Sequence, residues 1–262
     1  MRQLGLIGYP LGHSFSAKYF SEKFAKEGIN AAYRLYEIVS TGDFLAGGDA
    51  CAPGQEEVIE HVRRLDGFNV TSPYKEAVIP YLDAIDETAR AVGAVNVVKR
   101  AGGRWIGYNT DCIGFQEDLQ EFDHLPISGV KALVLGTGGA AKAVAYALRI
   151  LDIPYMMVSR TPDEKMFEGT MVINYQALSK EILETHRLVI NCTPLGMGAR
   201  QNECPRIPYQ WLSCRNFLYD CIYNPAETLF LQRGKAQGAH TRNGMGMLTH
   251  QAEAAWKIWS KS

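Results

Sequence analysis

Residues Lys131–Lys142 read KALVLGTGGAAK, a short apolar run followed at once by a glycine-rich turn. The apolar run predicts a buried strand, and Ala143–Leu148 after the turn predicts a helix. Backbone N–H groups at the start of such a helix, together with the helix dipole, attract a phosphate group. A strand, a glycine turn and a helix in this order are typical of a dinucleotide-binding α/β fold.

The glycines alone would also fit an ordinary turn, because 25 of the 262 residues are glycine. The third position of the motif is Ala141, which the Gly-or-Ala form of the dinucleotide motif accepts. We therefore expect a cofactor pyrophosphate to lie against the turn residues Gly136, Gly138, Gly139, Ala140 and Ala141.

The end of the next predicted strand, Ile153–Val158, indicates which dinucleotide is bound. An NAD site usually has an acidic residue there, which holds the ribose 2′-hydroxyl. This chain has Ser159, Arg160 and Thr161 instead. A guanidinium suits a 2′-phosphate, so these three residues predict NADP(H) as the cofactor. The alternative is that Arg160 is a solvated surface arginine.

The composition excludes several classes of protein. A net charge of −1 without a long basic run argues against nucleic acid as a partner, and 47% hydrophobic residues is typical of a globular protein. No apolar run approaches the roughly 20 residues of a membrane span, and the N-terminus does not resemble a signal peptide. The six cysteines form no C-x-x-C pair, and no cysteine–histidine cluster has zinc spacing. We expect a cytoplasmic protein with reduced thiols, no metal and no membrane partner.

Strands and helices alternate along the chain, which predicts an α/β fold with open, mostly parallel sheets. The glycine turn follows more than 100 residues of further α/β sequence. We therefore expect two domains with the active site in the cleft between them. Residues 1–104 with 240–262 would form the substrate domain and residues 105–239 the Rossmann-like NADP domain. Within them we expect a hairpin of Ala94–Lys99 with Arg104–Tyr108, and helices at 17–26, 56–65, 83–92, 228–237 and 246–259.

Polar clusters stand where predicted strands end, and such loops carry function more often than structure. They are Asn69–Lys75, Asn109–Asp111, Asn191–Met197 and Asn243–Gln251. Taken singly, each could serve the fold: an asparagine can bond the backbone of a turn, and Thr110 or Asp111 could cap a helix. Their occurrence together beside a predicted NADP site favours a functional role.

With these motifs in order along nearly the whole chain, the sequence resembles the shikimate dehydrogenase family. Further segments that resemble the family's motifs are Gly8–Ser16, Gly93–Asn96, Gly107–Asp111 with Gly114 and Phe115, and Asp220–Pro225. The resemblance implies reversible reduction of 3-dehydroshikimate to shikimate with NADPH, in the biosynthesis of chorismate and aromatic amino acids. The expected partner is this small-molecule substrate, and the protein would be a monomer or a homodimer.

The resemblance also implies roles for individual residues. Lys75 and Asp111 would form a catalytic ion pair. The substrate would be bound by Ser14, Ser16, Thr71, Asn96, Tyr223 and Gln251. The cofactor would be bound by the turn residues, by Ser159, Arg160 and Thr161, and by Thr193, Cys221 and Gly244.

The chain departs from the family's pattern at several positions. Ala17, Val97 and Ser159 replace a proline, a threonine and an asparagine that are usual there, and Glu164 stands where a second basic residue is common. These changes together would weaken NADP preference. One alternative is therefore a quinate/shikimate dehydrogenase that also uses NAD. A second alternative is a non-catalytic dinucleotide-binding regulator, but such a protein would be expected to lose Lys75 or Asp111.

Overall fold

The computed structural model describes residues 1–12, 15–39, 55–162 and 169–261. The chain divides into two compact units, Met1–Thr110 with Ala252–Ser262 and Asp111–Gln251. In the part of the chain that the structure describes, no helix is long and apolar enough to cross a membrane.

The first unit contains a six-stranded mixed sheet. Its strands are β1 (Arg2–Gly8), β2 (Ala31–Glu37), β3 (Gly67–Val70), β4 (Ala84–Ile85), β5 (Val97–Ala101) and β6 (Arg104–Tyr108), in the order β2-β1-β3-β5-β6-β4. β1 pairs in parallel with β2 and β3, whereas β5 is antiparallel to β3 and β6. Its helices are α1 (Phe15–Glu27), α2 (Glu56–Arg63) and α3 (Glu87–Val92). The hairpin predicted around Gly102 and Gly103 is confirmed, and both glycines have positive φ.

The second unit contains a six-stranded parallel sheet. Its strands are β7 (Ala132–Leu135), β8 (Tyr155–Ser159), β9 (Val172–Asn174), β10 (Leu188–Asn191), β11 (Phe217–Asp220) and β12 (His240–Arg242), in the order β12-β11-β10-β7-β8-β9. Numbered from β7, this is the doubly wound order 3-2-1-4-5-6 of the Rossmann fold. Its helices are α4 (Asp111–Gln120), α5 (Gly139–Ile150), α6 (Lys180–Thr185) and α7 (Leu229–Ala236), and the chain continues into α8 (Met245–Ser260). The predicted α/β class is confirmed.

The bounds of the two units differ from the expected boundaries at 105 and 240. Residues Arg104–Tyr108 pair with β5, so they extend the first sheet. Residues His240–Arg242 pair with β11, so they extend the second sheet. Three short strands, β4, β9 and β12, were not predicted, because a run of two or three residues is too short to show an alternating pattern. β4 and the cap residue Asp86 occupy the start of the helix expected at 83–92.

A buried ionic cluster joins four elements of the second unit. Asp118 of α4 has no exposed surface and accepts hydrogen bonds from the Arg242 guanidinium, with 2.9 Å from Nε to Oδ1, and from the Tyr219 hydroxyl. Gly246 at the start of α8 packs so closely that a Cβ there would overlap the Asp118 carboxylate. The cluster therefore fixes α4 and the start of α8 against β11 and β12.

We predict that Asp118→Ala lowers the free energy of unfolding by at least about 2 kcal/mol, because it removes the acceptor of the buried Tyr219 hydroxyl and the buried carboxylate that pairs with the Arg242 guanidinium. Urea denaturation would measure the loss. Asp123→Ala is the matched control, since Asp123 is exposed and its removal should change stability by less than about 0.5 kcal/mol. Equal effects of the two substitutions would contradict a stabilising role for the cluster.

Candidate active site

The glycine turn lies between β7 and α5, as the sequence predicts. Gly136 follows β7 with φ +108°, a conformation that favours glycine. A Cβ at Gly136 would lie 3.3 Å from the Cys192 carbonyl oxygen, so the glycine also permits close approach of β10. α5 begins at Gly139, its N-cap Gly138 makes no side-chain cap, and a Cβ at Gly138 would meet nothing within 4 Å. The first N–H groups of α5 thus border open space that can admit a phosphate.

Arg160 lies beside this turn. The Gly136 N–H donates to the Val158 carbonyl at 2.9 Å, which ties the turn to the end of β8. The Ser159 hydroxyl accepts from the Thr161 N–H at 3.2 Å, and the Arg160 carbonyl accepts from the Asn174 amide at 3.2 Å. The Arg160 side chain is exposed. The backbone is therefore fixed on both sides of a guanidinium that can reach a ligand. Glu164 and Lys165 lie outside the described residues.

Thr193 and Cys221 follow β10 and β11; β10 is the neighbour of β7, the strand before the glycine turn, and β11 is the next strand beyond β10. The Asn191 side-chain oxygen accepts from the Thr193 N–H at 3.0 Å and from its hydroxyl at 2.7 Å. The Asn191 amide donates to Asp220 Oδ1 at 3.0 Å. Gly244 lies against the same strand end, where its N–H donates to the Ile222 carbonyl at 3.0 Å and a Cβ would overlap the Cys221 carbonyl.

Asp220 is a buried carboxylic acid that sequence analysis did not single out. It accepts hydrogen bonds from Asn191, from the Ile222 N–H at 3.0 Å and from the Thr228 hydroxyl at 2.5 Å. Burial raises the pKa of Asp220 to about 6, although the three hydrogen bonds oppose this shift. The available signal was its position at the end of an apolar strand, where a carboxylate needs several donors.

In the first unit, a chain of buried polar side chains connects four of the predicted motifs. Tyr33 contacts the Ser16 side chain and donates its hydroxyl proton to Asn69 Oδ1 at 2.7 Å. The Asn69 amide donates to the Asn96 carbonyl at 3.1 Å, and Asn96 Oδ1 accepts from the Thr110 N–H at 2.7 Å. Tyr33 was missed by sequence analysis because it lies in a strand without a motif.

Lys75 and Thr71 lie in the loop that follows β3. The Lys75 carbonyl accepts from the Val95 N–H at 2.7 Å, and the Thr71 N–H donates to the Ile7 carbonyl at 2.9 Å. The Lys75 side chain is half-buried. These bonds hold the loop against the end of β1 and against the segment just before β5, which contains Asn96. Ser14 lies outside the described residues. Ser16 lies in the first turn of α1.

Asp111 lies on α4 and Gln251 on α8, and these two helices pack tightly against each other. Asp111 is the first residue of α4 and is buried, with 6% of its surface exposed. A Cβ at Gly114 would lie 2.8 Å from both N and Cβ of Gln251, so glycine is needed for α4 to approach α8 this closely. Tyr223 is half-buried in the loop after β11. Lys75 belongs to the first unit and Asp111 to the second, and their ion pair stays a prediction.

Comparison with known proteins identifies the family. The chain is 37% identical to the shikimate dehydrogenase (NADP(+)) of Carboxydothermus hydrogenoformans, and the match covers 98% of this chain and 90% of that relative. The chain belongs to the shikimate dehydrogenase family. The family's substrate binding domain model matches residues 6–98, which lie within the first unit. The resemblance inferred from the ordered motifs is thus confirmed.

Solved structures of shikimate dehydrogenases share the fold of the whole chain. That of Thermus thermophilus, in complex with NADP(H) and shikimate, is 30% identical and covers 99% of this chain and 94% of its own, with a TM-score of 0.83. That of Listeria monocytogenes, in complex with shikimate and NAD, is 28% identical and covers 99% of this chain and 92% of its own, with a TM-score of 0.81.

The raised pKa of Asp220 predicts how stability changes with pH. Between about pH 4 and pH 6 the folded protein binds more protons than the unfolded chain, so Asp220 makes the wild type less stable as pH rises. Asp220→Asn removes this titration and keeps the side-chain shape and one acceptor oxygen for Asn191 and the Ile222 N–H. We expect the free energy of unfolding of the variant minus that of wild type to increase by up to about 3 kcal/mol from pH 4 to pH 6.

Urea denaturation at pH 4, 5 and 6 would measure the difference. Asp152→Asn is a matched control at an exposed aspartate and should change stability by less than about 0.5 kcal/mol. A difference for Asp220→Asn that does not change with pH would contradict the burial of an acid with raised pKa.

Proposed function

We propose that the protein is an NADP-dependent shikimate dehydrogenase, which reversibly reduces 3-dehydroshikimate to shikimate in the biosynthesis of aromatic amino acids. The observation that carries the proposal is the full-length match to curated enzymes of that activity, in a chain that has Lys75, Asp111 and Arg160. The bound state reported for the Thermus thermophilus relative, with NADP(H) and shikimate, supports the same pair of ligands.

The residues around the glycine turn fit NADP(H), which when bound supplies the hydride. The open N-terminus of α5 would hold the pyrophosphate, and Arg160 with Ser159 and Thr161 would bind the 2′-phosphate. An acidic residue that would repel this phosphate is missing from the end of β8. Thr193, Cys221 and Gly244, on neighbouring strand ends, would position the nicotinamide half.

The substrate would be held by hydroxyl and amide groups. Ser14 and Ser16 would donate to its carboxylate, and Thr71, Asn96, Tyr223 and Gln251 would bond its hydroxyl and carbonyl groups. The hydrogen bonds of Asn96 to Thr110 and of Ser16 to Tyr33 fix these side chains before the substrate arrives, which lowers the entropy lost on binding.

Lys75 would carry the acid–base chemistry. Its ammonium beside the C3 carbonyl oxygen would stabilise negative charge as the carbonyl is reduced, and would deliver the proton that completes the hydroxyl. Asp111 would orient Lys75 and bond a neighbouring substrate hydroxyl. The reverse reaction would use Lys75, once deprotonated, as the base that accepts the hydroxyl proton.

A quinate/shikimate dehydrogenase that also uses NAD is the second candidate. The structure of the Listeria monocytogenes relative in complex with shikimate and NAD supports this alternative. Initial rates with shikimate or quinate, each with NADP+ or NAD+, would be followed by the absorbance of the reduced nicotinamide. Preference for shikimate with NADP+ is expected. Equal rates with NAD+ and quinate would support the alternative, and no turnover with any pair would refute both.

The cellular location and the assembly are also proposed. The cysteines that the structure describes are free thiols, which supports a cytoplasmic enzyme. We propose a monomer or a homodimer. Light scattering on the purified protein would distinguish the two by their mass.

Removal of the proposed acid should stop turnover while sparing the cofactor. We expect Lys75→Ala to lower kcat at least about a hundredfold and to change the Kd for NADP+ little, because general acid catalysis typically supplies 10²–10⁴-fold. Lys26→Ala, at an exposed lysine of α1, is the control and should leave kcat unchanged. Near-normal turnover of Lys75→Ala would refute its role.

Removal of the proposed 2′-phosphate ligand should affect the two cofactors unequally. We expect Arg160→Ala to raise the KM for NADPH about ten- to a hundredfold, the value of one charge-assisted hydrogen bond, and to spare the KM for NADH. Arg215→Ala, at an exposed arginine, should change neither. Equal losses with NADPH and NADH would show that Arg160 does not read the 2′-phosphate.

A further inference from the structure

Two cysteine thiols meet at the ends of neighbouring parallel strands in the second unit. Cys192 follows β10 and Cys221 follows β11, and their Sγ atoms are 3.6 Å apart. The Cys221 N–H donates to the Asn191 carbonyl at 3.0 Å, so the parallel register of the two strands continues up to the cysteines. Both residues are free thiols and are partly exposed. From this geometry we propose that Cys192 and Cys221 form a two-thiol site that chelates a trivalent arsenical carrying one organic group.

The distance between the sulfurs suits a bridging atom better than a direct bond. Two thiolate sulfurs bound to one tetrahedral zinc at about 2.3 Å lie about 3.8 Å apart, close to the observed separation. A disulfide requires the sulfurs to approach to about 2.05 Å and an oxidant to remove two electrons, and a bridging atom needs neither. A soft atom of similar bond length can therefore bind with little movement of either strand.

The number of ligands favours the arsenical over a tetrahedral metal ion. In the described part of the chain, the single group of three ligating side chains close enough to share an ion is Asp118, Glu121 and His250, which does not include these cysteines. A tetrahedral cation would lack protein ligands here. Arsenic bonded to one carbon has two valences left, which is the number of thiols that the site offers.

The reaction balances without an oxidant. Each Sγ–H bond is replaced by an Sγ–As bond, each of two As–OH bonds of the hydrated arsenical breaks, and the two protons leave with the two hydroxides as water. Arsenic stays trivalent. Hydrogen bonding with Cys192 and burial raise the pKa of the Cys221 thiol, so Cys221 is protonated at neutral pH. Disulfide exchange needs a thiolate, and is disfavoured for Cys221 by the same shift.

The test uses phenylarsine oxide and intact-mass spectrometry on the full-length protein, so it is independent of the proposed enzymatic activity. We expect one adduct per chain that survives excess 2-mercaptoethanol and is removed by ethanedithiol, because a monothiol cannot displace a chelate. Cys192→Ser and Cys221→Ser should each lose this adduct. Cys214→Ser, at an exposed thiol, should keep it.

Cys192→Ala and Cys221→Ala repeat the test without a serine hydroxyl at the site. Circular dichroism would check that each variant is folded. An adduct resistant to 2-mercaptoethanol that persists in either folded variant would assign the chelate to other cysteines and overturn the proposal. Wild-type protein that forms only adducts removed by 2-mercaptoethanol would overturn it equally.

Discussion

The buried carboxylate of Asp220 organises the carboxyl end of the second sheet. Its two oxygens accept bonds from Asn191 on the neighbouring strand, from the backbone after β11 and from the cap residue of α7, Thr228. Asn191 in turn holds Thr193. A buried acid costs free energy unless such donors surround it, so the loops that carry Thr193 and Cys221 are confined to conformations that supply them. The cofactor side of the proposed site depends on this arrangement.

The first unit uses amides for the same purpose. Asn69, Asn96 and Asn109 each bond backbone or side-chain groups of another segment, and all three are buried. An amide can donate and accept at once, so one asparagine satisfies two strand ends without introducing a charge. The motif residues that resemble a substrate site are therefore partly structural. Asn96, for example, is predicted to bind substrate and also fixes Thr110, the neighbour of Asp111.

Much of this organisation could be predicted from the sequence. The glycine turn, the alternation of strands and helices and the hairpin at Gly102 are local patterns, and the structure has them where they were expected. The strands β4, β9 and β12 could not be predicted, since they form through pairing with a neighbour and have little pattern of their own. Tyr33 was missed, and Asp220 was noted only as part of a motif, for a related reason: their importance comes from partners distant in the chain, Asn69 and Asn191.

The contact between Gly246 and Asp118 limits which substitutions can be accepted at these two positions during evolution. Any side chain at 246 would overlap the Asp118 carboxylate. A smaller residue at 118 would lose the hydrogen bonds from Arg242 and Tyr219. Neither position can change first without loss, so they must change together or not at all. Relatives that have a larger residue at 246 should therefore have replaced the acid at 118 and the arginine at 242 as a set.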